Sequence, residues 1–355
     1  MQPGLEGVVA AETVLSTADP KRNMLWMRGI AVPTLVTDYG CEGTIALLWD
    51  GFAGDGLTAD AMRSALGEAR LRAFDALPAW LEAAARRPMD EAVRRCLVEL
   101  ADDATPAAII AALSVGVPAL IRARRGEAPV APDPSLGTAA DLLRVAHGTV
   151  ADTARVAALD AYFTAMMDSG LNASSFTARV VASTRASLAA AVLGAWCAFT
   201  GELHGGAPGP TLDLLDAAAA AEDLDAWLER KLIGGERLMG FGHRLFPDGN
   251  DPRSQAIRAA LRRLGPHASR LDFATTVEQR LQAVLARVKP GRRLPANLEI
   301  AAALLLDALG FPREAFTAVF AVGRGPGWLA QAMEQAKTGR MYRPSATYVG
   351  PPVGD

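Results

Sequence analysis

Residues 175–200, SFTARVVASTRASLAAAVLGAWCAFT, set the tightest limit on the fold. Apolar side chains occupy most faces of a helix there: Val180, Val181, Leu188, Val192, Leu193, Trp196 and Phe199. A helix that is apolar all round has to be buried, in a core or against another subunit. The spacing predicts one long helix from Ser175 to about Thr200, and a subunit interface is a natural place to hide it. The rest of the chain is read in the same way. Half of its 355 residues are apolar and only 6% are aromatic. Alanine and leucine supply most of the apolar content, which favours helix over sheet.

Helical patterns follow one another over 38–49, 58–74, 77–86, 89–100, 106–122, 138–146 and 154–169, punctuated by Pro, Gly or Asp. Residues 4–34 alternate loosely around Asp19-Pro20 and predict a β-hairpin or a pair of short strands, with Arg28-Gly29 as a turn. Residues 124–137 are rich in Pro and Gly and read as an exposed loop. No repeat of fixed period is visible.

Several classes are excluded early. The net charge is −3 and no run of Lys and Arg stands out, which argues against nucleic acid as a partner. The charge-free stretch 104–121 contains Pro106, Gly116 and Pro118, a poor membrane helix, so no membrane partner is expected. Cys41, Cys96 and Cys197 form no zinc spacing and no CxxC, and the start of the chain reads as no signal peptide. Reduced cysteines and a cytoplasmic location are the expectation, with no metal. P-loop, HExxH and nucleophile-elbow patterns do not occur.

Chemistry concentrates in glycine-flanked histidines. Gly240 and Gly242 bracket Phe241, and His243 follows directly. Dense glycine lets a backbone approach a ligand closely. A second histidine, His204, sits in Glu202-Leu203-His204-Gly205-Gly206. The chain has four histidines in all. His147, at a helix end before Gly148, reads as structural, and His267, after Gly265-Pro266, reads as surface. Histidine is the side chain best suited to proton transfer near neutral pH. Taken singly, each motif also fits a tight loop with an ordinary hydrogen-bonded histidine. Glu299 falls in the first turn of a helix capped by Asn297, where the helix dipole would keep a carboxylate ionised. An acid there also fits simple helix stabilisation.

The segments GLEGVVAAET at 4–13, GLNASSFTARVVAST at 170–184, ELHGGA at 202–207, MGFGHRLFPDGNDPR at 239–253, LPANLE at 294–299, FAVGRGPGWLAQAMEQ at 320–335 and RPSATYVGP at 343–351 together resemble the citrate synthase family. Their order and spacing match jointly along nearly the whole chain. The resemblance implies a mainly α, two-domain fold with a small N-terminal β element. The large domain would take residues 1–211 and 317–355, and residues 212–316 would close over the active site. It also implies a homodimer with active sites at the interface.

The family's roles carry over by position. Glu299 stands where the family has the base that takes a proton from the acyl methyl of the CoA thioester. His204 would donate to the thioester oxygen as the enol forms. His243 would polarise and protonate the keto group of the 2-oxo acid. Arg253, Arg324 and Arg343 match the carboxylate-binding set, with Arg343 expected from the partner subunit. Guanidinium groups suit that task because they bind carboxylates in bidentate fashion. Ser169 and Asn172 would contact the 2-oxo acid. Coenzyme A, a co-substrate rather than a tightly bound cofactor, would lie along Leu238, Met239, Gly240, Phe241 and Gly242.

The sequence departs from the family pattern near the keto-acid pocket. The base is glutamate where aspartate is usual. Ser169 and Met166 stand at positions where the family commonly has histidines. The spacing between His243 and Arg253 is one residue longer, and Ser345 replaces a basic residue of the C-terminal motif. A second reading from another class therefore stands beside the enzyme: a catalytically impaired relative that binds CoA esters or carboxylates as a sensor or partner subunit.

Overall fold

The computed structural model describes every residue except 1, 2, 6, 207, 243, 244, 266, 267 and 352–355. The expectations for His243 and His267 therefore lie outside the described residues.

The chain opens with a three-stranded antiparallel sheet, β1 (Ser16–Asp19), β2 (Met24–Met27) and β3 (Ile30–Ala31), paired in that order. Asp19 Oδ1 accepts from the backbone N–H groups of Lys21 and Arg22 and so closes the first turn. Arg28 and Gly29 both have positive φ (50° and 81°) and form the second turn, as predicted. The Arg28 side chain then satisfies the carbonyls of Leu47 and Asp50 at the end of a helix.

The other described elements are helices joined by turns and loops. A first turn, α1 (Val32–Thr34), leads into α2 (Gly40–Trp49). Next come α3 (Ala59–Asp75), α4 (Leu81–Ala85), α5 (Met89–Val98), α6 (Pro106–Arg124), α7 (Thr138–His147) and α8 (Thr153–Met166). They are followed by α9 (Ala173–Ser183), α10 (Leu188–Phe199), α11 (Pro208–Ala219), α12 (Leu224–Ile233) and α13 (Pro252–Arg262). The last three are α14 (Ala268–Val288), α15 (Leu298–Ala308) and α16 (Phe316–Thr338). The expected domain boundary at 211/212 falls inside α11, and the boundary at 316/317 falls at the start of α16.

The core runs along α6 and α16. Ile109–Ile121 and nearly all of α16 are buried. By length and composition α6 could cross a bilayer, yet here it is packed among α3, α5, α7 and α16. Two glycines let α16 press onto the end of α8. A Cβ at Gly327 would lie 2.0 Å from the Met167 carbonyl oxygen, and one at Gly323 would lie 2.7 Å from the Phe163 ring. The Trp49 indole N–H donates to the Pro326 carbonyl at 2.9 Å and ties α2 to the same region. This close approach sets Arg324, between the two glycines, against residues 166–169.

The single helix predicted over 175–200 is two helices, α9 and α10, packed against each other. Arg185 has φ +65°, which breaks the helix, and the Ser187 side chain accepts from Ala190 N–H to start the next one. Burial is one-sided rather than all round: Val180 and Cys197 are exposed, while Ala191, Val192 and Trp196 are buried. The predicted helix over 77–86 also divides, at Trp80, where φ is −138°. His147 ends α7, capped by Gly148 at φ 73°, and its ring lies 5.5 Å from Phe311. That is the structural role expected of it.

Candidate active site

A cavity of about 240 Å³ gathers side chains from five separate stretches of the chain: Ser169 and Asn172, His204 and Gly205, Gly242 with Arg253, Asn297 to Glu299, and Phe320 with Arg324.

His204 is set by a tight turn after α10. Its N–H donates to the Gly201 carbonyl at 2.9 Å, and Gly205 N–H donates to the Phe199 carbonyl at 2.8 Å. A Cβ at Gly205 would lie 2.5 Å from the Phe199 ring, so glycine alone allows this approach. The imidazole stands edge-on to Phe199, with ring centroids 5.1 Å apart. Its Nε2 receives the Ser174 backbone N–H at 3.3 Å and lies 2.8 Å from Ser174 Oγ. A backbone N–H can only donate, so Nε2 is an acceptor and the ring proton belongs on Nδ1. Ser174 Oγ is itself fixed by the Trp328 indole N–H at 3.0 Å. Burial, then the charge of Arg324, pushes the His204 pKa down to about 4. The ring is therefore a neutral donor at physiological pH.

Glu299 opens α15. Asn297 caps the helix, its Oδ1 accepting from Glu299 N–H at 2.9 Å. The same Asn297 donates Nδ2 to the Gly242 carbonyl at 3.0 Å and its own N–H to the Gly240 carbonyl at 2.8 Å. Gly242 N–H returns a bond to the Pro295 carbonyl at 2.7 Å. The glycine loop and the start of α15 thus form one hydrogen-bonded unit. Gly240 has φ +84°, and a Cβ there would strike Ile300 and Thr211 at 2.7 Å. The helix dipole does not dominate the Glu299 carboxyl, contrary to the sequence expectation. Burial raises its pKa to about 7, partly opposed by Arg253 and Arg324 and reinforced by Asp251.

Among the described residues, two guanidinium groups face the cavity. Arg253 is gripped by buried Asp251, with Nε–Oδ1 3.0 Å and Nη2–Oδ2 2.7 Å. Arg324 donates Nε to the Met166 carbonyl and Nη1 to Ser169 Oγ at 3.4 Å, and it lies 5.3 Å from the Phe320 ring centre. Burial lowers its pKa to about 10, which leaves it charged. Buried Asp168 accepts from Ser16 Oγ on β1 and Gln331 Nε2 on α16, and its charge is the largest that opposes the lowering of the Arg324 pKa.

Of the residues predicted from sequence, His204, Glu299, Arg253, Arg324, Ser169, Asn172 and Gly242 meet at this cavity. Arg343 does not line it; it is exposed in the segment beyond α16. Leu238 and Phe241 line a neighbouring cavity of about 300 Å³ together with Arg237, Lys289 and Arg292. Met239 is half-buried, and Gly240 is buried between α11 and α15. Sequence reasoning missed Phe320, Ser174 and Trp328. Phe320 lies four residues before Arg324, on the same helix face. Ser174 lies two residues after Asn172 in a motif whose asparagine alone was given a role.

The family model for the citrate synthase C-terminal domain matches residues 4–345. A Mycobacterium tuberculosis protein named for citrate synthase is 36% identical over 372 residues, covering 98% of this chain and 93% of the relative. The 2-methylcitrate synthase of the same species is 33% identical over 379 residues, covering 99% and 91%. The crystal structure of Thermotoga maritima citrate synthase superposes with a TM-score of 0.87 at 25% identity, covering 100% of this chain and 97% of that one. The chain belongs to the citrate synthase family and has the mainly α fold and acyltransferase type of its members.

Proposed function

We propose that the protein condenses a short acyl-CoA, acetyl-CoA first and propionyl-CoA next, with oxaloacetate or a related 2-oxo acid and releases CoA. One observation carries this reading: a neutral His204, with Nδ1–H left to donate, faces the same cavity as a Glu299 carboxyl that titrates near 7. A thioester α-proton is a very weak acid. Its removal needs a base, a donor to the forming enol oxygen and a water-poor site acting together.

Glu299 takes the α-proton, and His204 Nδ1–H holds the enol oxygen. The α-carbon then attacks the keto carbon of the 2-oxo acid. His243, the histidine of the Gly-Phe-Gly-His motif, gives the keto oxygen its proton. Water then cleaves the product thioester and frees the CoA thiol. Arg253 and Arg324 hold carboxylate groups of the 2-oxo acid, and Ser169 and Asn172 supply hydrogen bonds. The backbone at Leu238–Gly242 takes the CoA arm.

The relatives' names favour two acyl chains, acetyl and propionyl. A solved Thermoplasma acidophilum citrate synthase, 22% identical, shares the fold with a TM-score of 0.83 and was captured with carboxymethyl-CoA and oxaloacetate. Residues 212–316 act as the closing domain. Two copies pair through α9 and α10, whose outer face carries Val180 and Cys197, and each copy lends Arg343 to the other's site. The protein works in the cytoplasm.

Purified protein is offered a panel of acyl-CoAs and 2-oxo acids, and free thiol is recorded. Release with one pair, and its loss in His204→Ala, supports the reading. Ligand binding without thiol release for any pair overturns it.

A further inference from the structure

Two buried polar atoms beside the cavity lack a hydrogen-bond partner among the described residues: the Tyr162 hydroxyl on α8 and Oε2 of Glu299 on α15. One is a donor without an acceptor. The other is a carboxylate oxygen without a donor. Native structures leave few such groups, and each calls for an explanation. The two helices are packed together. Tyr162 is fully buried, and its ring centre lies 6.1 Å from that of Phe320, which lines the cavity alongside Glu299.

We infer that Tyr162 is a positioning residue for Glu299: as α15 settles onto α8, its hydroxyl donates to Oε2 and leaves Oε1 to meet the acyl α-proton. This rests on the reading of Glu299 as the base. Among the described residues, the other charged groups that act on Glu299 are Arg253 with Asp251 on α13 and at its cap, and Arg324 on α16, while neutral His204 faces it across the cavity. None of them gives Oε2 a hydrogen bond. Burial first and the Glu299 charge second push the Tyr162 phenol well above its ordinary value, so it keeps the proton it has to offer. A bond of this kind stabilises the ionised carboxylate. It also fixes the direction of the oxygen that does the work, where an error of about 1 Å can cost on the order of 100-fold in rate.

Tyr162→Phe keeps the ring and removes only the hydroxyl. The readout is the pH profile of kcat/KM for thiol release, with KM for the 2-oxo acid measured alongside. The acid limb is expected to move upward by about one pH unit. With the base titrating near 7, that gives a loss of about fivefold at pH 7, approaching tenfold at lower pH and recovered at alkaline pH, with KM for the 2-oxo acid unchanged. An acid limb at the wild-type pH, or a loss that is the same at every pH, overturns the inference. Glu299→Gln separates the two failures. If that variant still releases thiol, the base assignment and the inference fall together. If it is inactive while Tyr162→Phe leaves the profile unmoved, only the role of Tyr162 falls.

Discussion

Replacing Glu299 with glutamine separates the cost of this carboxyl from its use. In the folded chain it titrates near 7 rather than at the ordinary 4.5, and burial is the largest cause. The folded state therefore holds the proton more tightly than the unfolded chain does. The stability this gives is present at low pH and is lost as pH rises from 4.5 through 7. The gap corresponds to at most about 3 kcal/mol, at about 1.4 kcal/mol per pH unit. Glu299 is partly open to the cavity, so solvent screens some of it, and about 1–2 kcal/mol is the expected size. Glutamine cannot ionise. Urea denaturation of both proteins at pH 5 and pH 8 should show the variant gaining on the wild type by that amount at the higher pH, while thiol release is lost at both. A difference that does not change with pH would refute the argument, because the carboxyl would then titrate alike in the folded and unfolded chains. The case would be one of a site kept at the expense of stability.

Three further outcomes follow from the geometry. Ser174→Ala leaves the buried Trp328 indole N–H without its partner and removes one of the two contacts on His204 Nε2. Thermal denaturation should show a loss of about 1–3 kcal/mol, and kcat should fall on the order of 100-fold. Arg324→Lys loses the fork that spans the Met166 carbonyl and Ser169, so KM for the 2-oxo acid should rise at least about tenfold with the acyl-CoA KM little changed. Arg185→Gly relieves a φ of +65° at an exposed position and should stabilise the chain by about 1 kcal/mol in chemical denaturation, without effect on turnover.

The parts of the site that depend on backbone were legible in the sequence. The glycines around Phe241 and after His204 mark places where a side chain would collide, with Ile300 and Thr211 in one case and Phe199 in the other. The helical pattern over 106–122 was legible and matches α6. What escaped depends on contacts between distant residues. Nothing in the local sequence says that burial would outweigh the helix dipole at Glu299, since the helices packed on α15, α11 and α13 among them, come from elsewhere in the chain. The Trp328–Ser174–His204 chain spans three segments and has no periodic signature. The division of residues 175–200 was missed because Arg185 adopts a conformation usual only for glycine, although Ser187 was a readable cap.

The central claim is that Glu299 and His204 act on one acyl group. Exchange of the acetyl-CoA methyl protons with solvent deuterium, followed by NMR with a non-condensing 2-oxo acid analogue present, tests it most directly. Exchange by the wild-type protein that falls at least about 100-fold in both Glu299→Gln and His204→Ala is the predicted result. Exchange that persists in either variant would contradict the account.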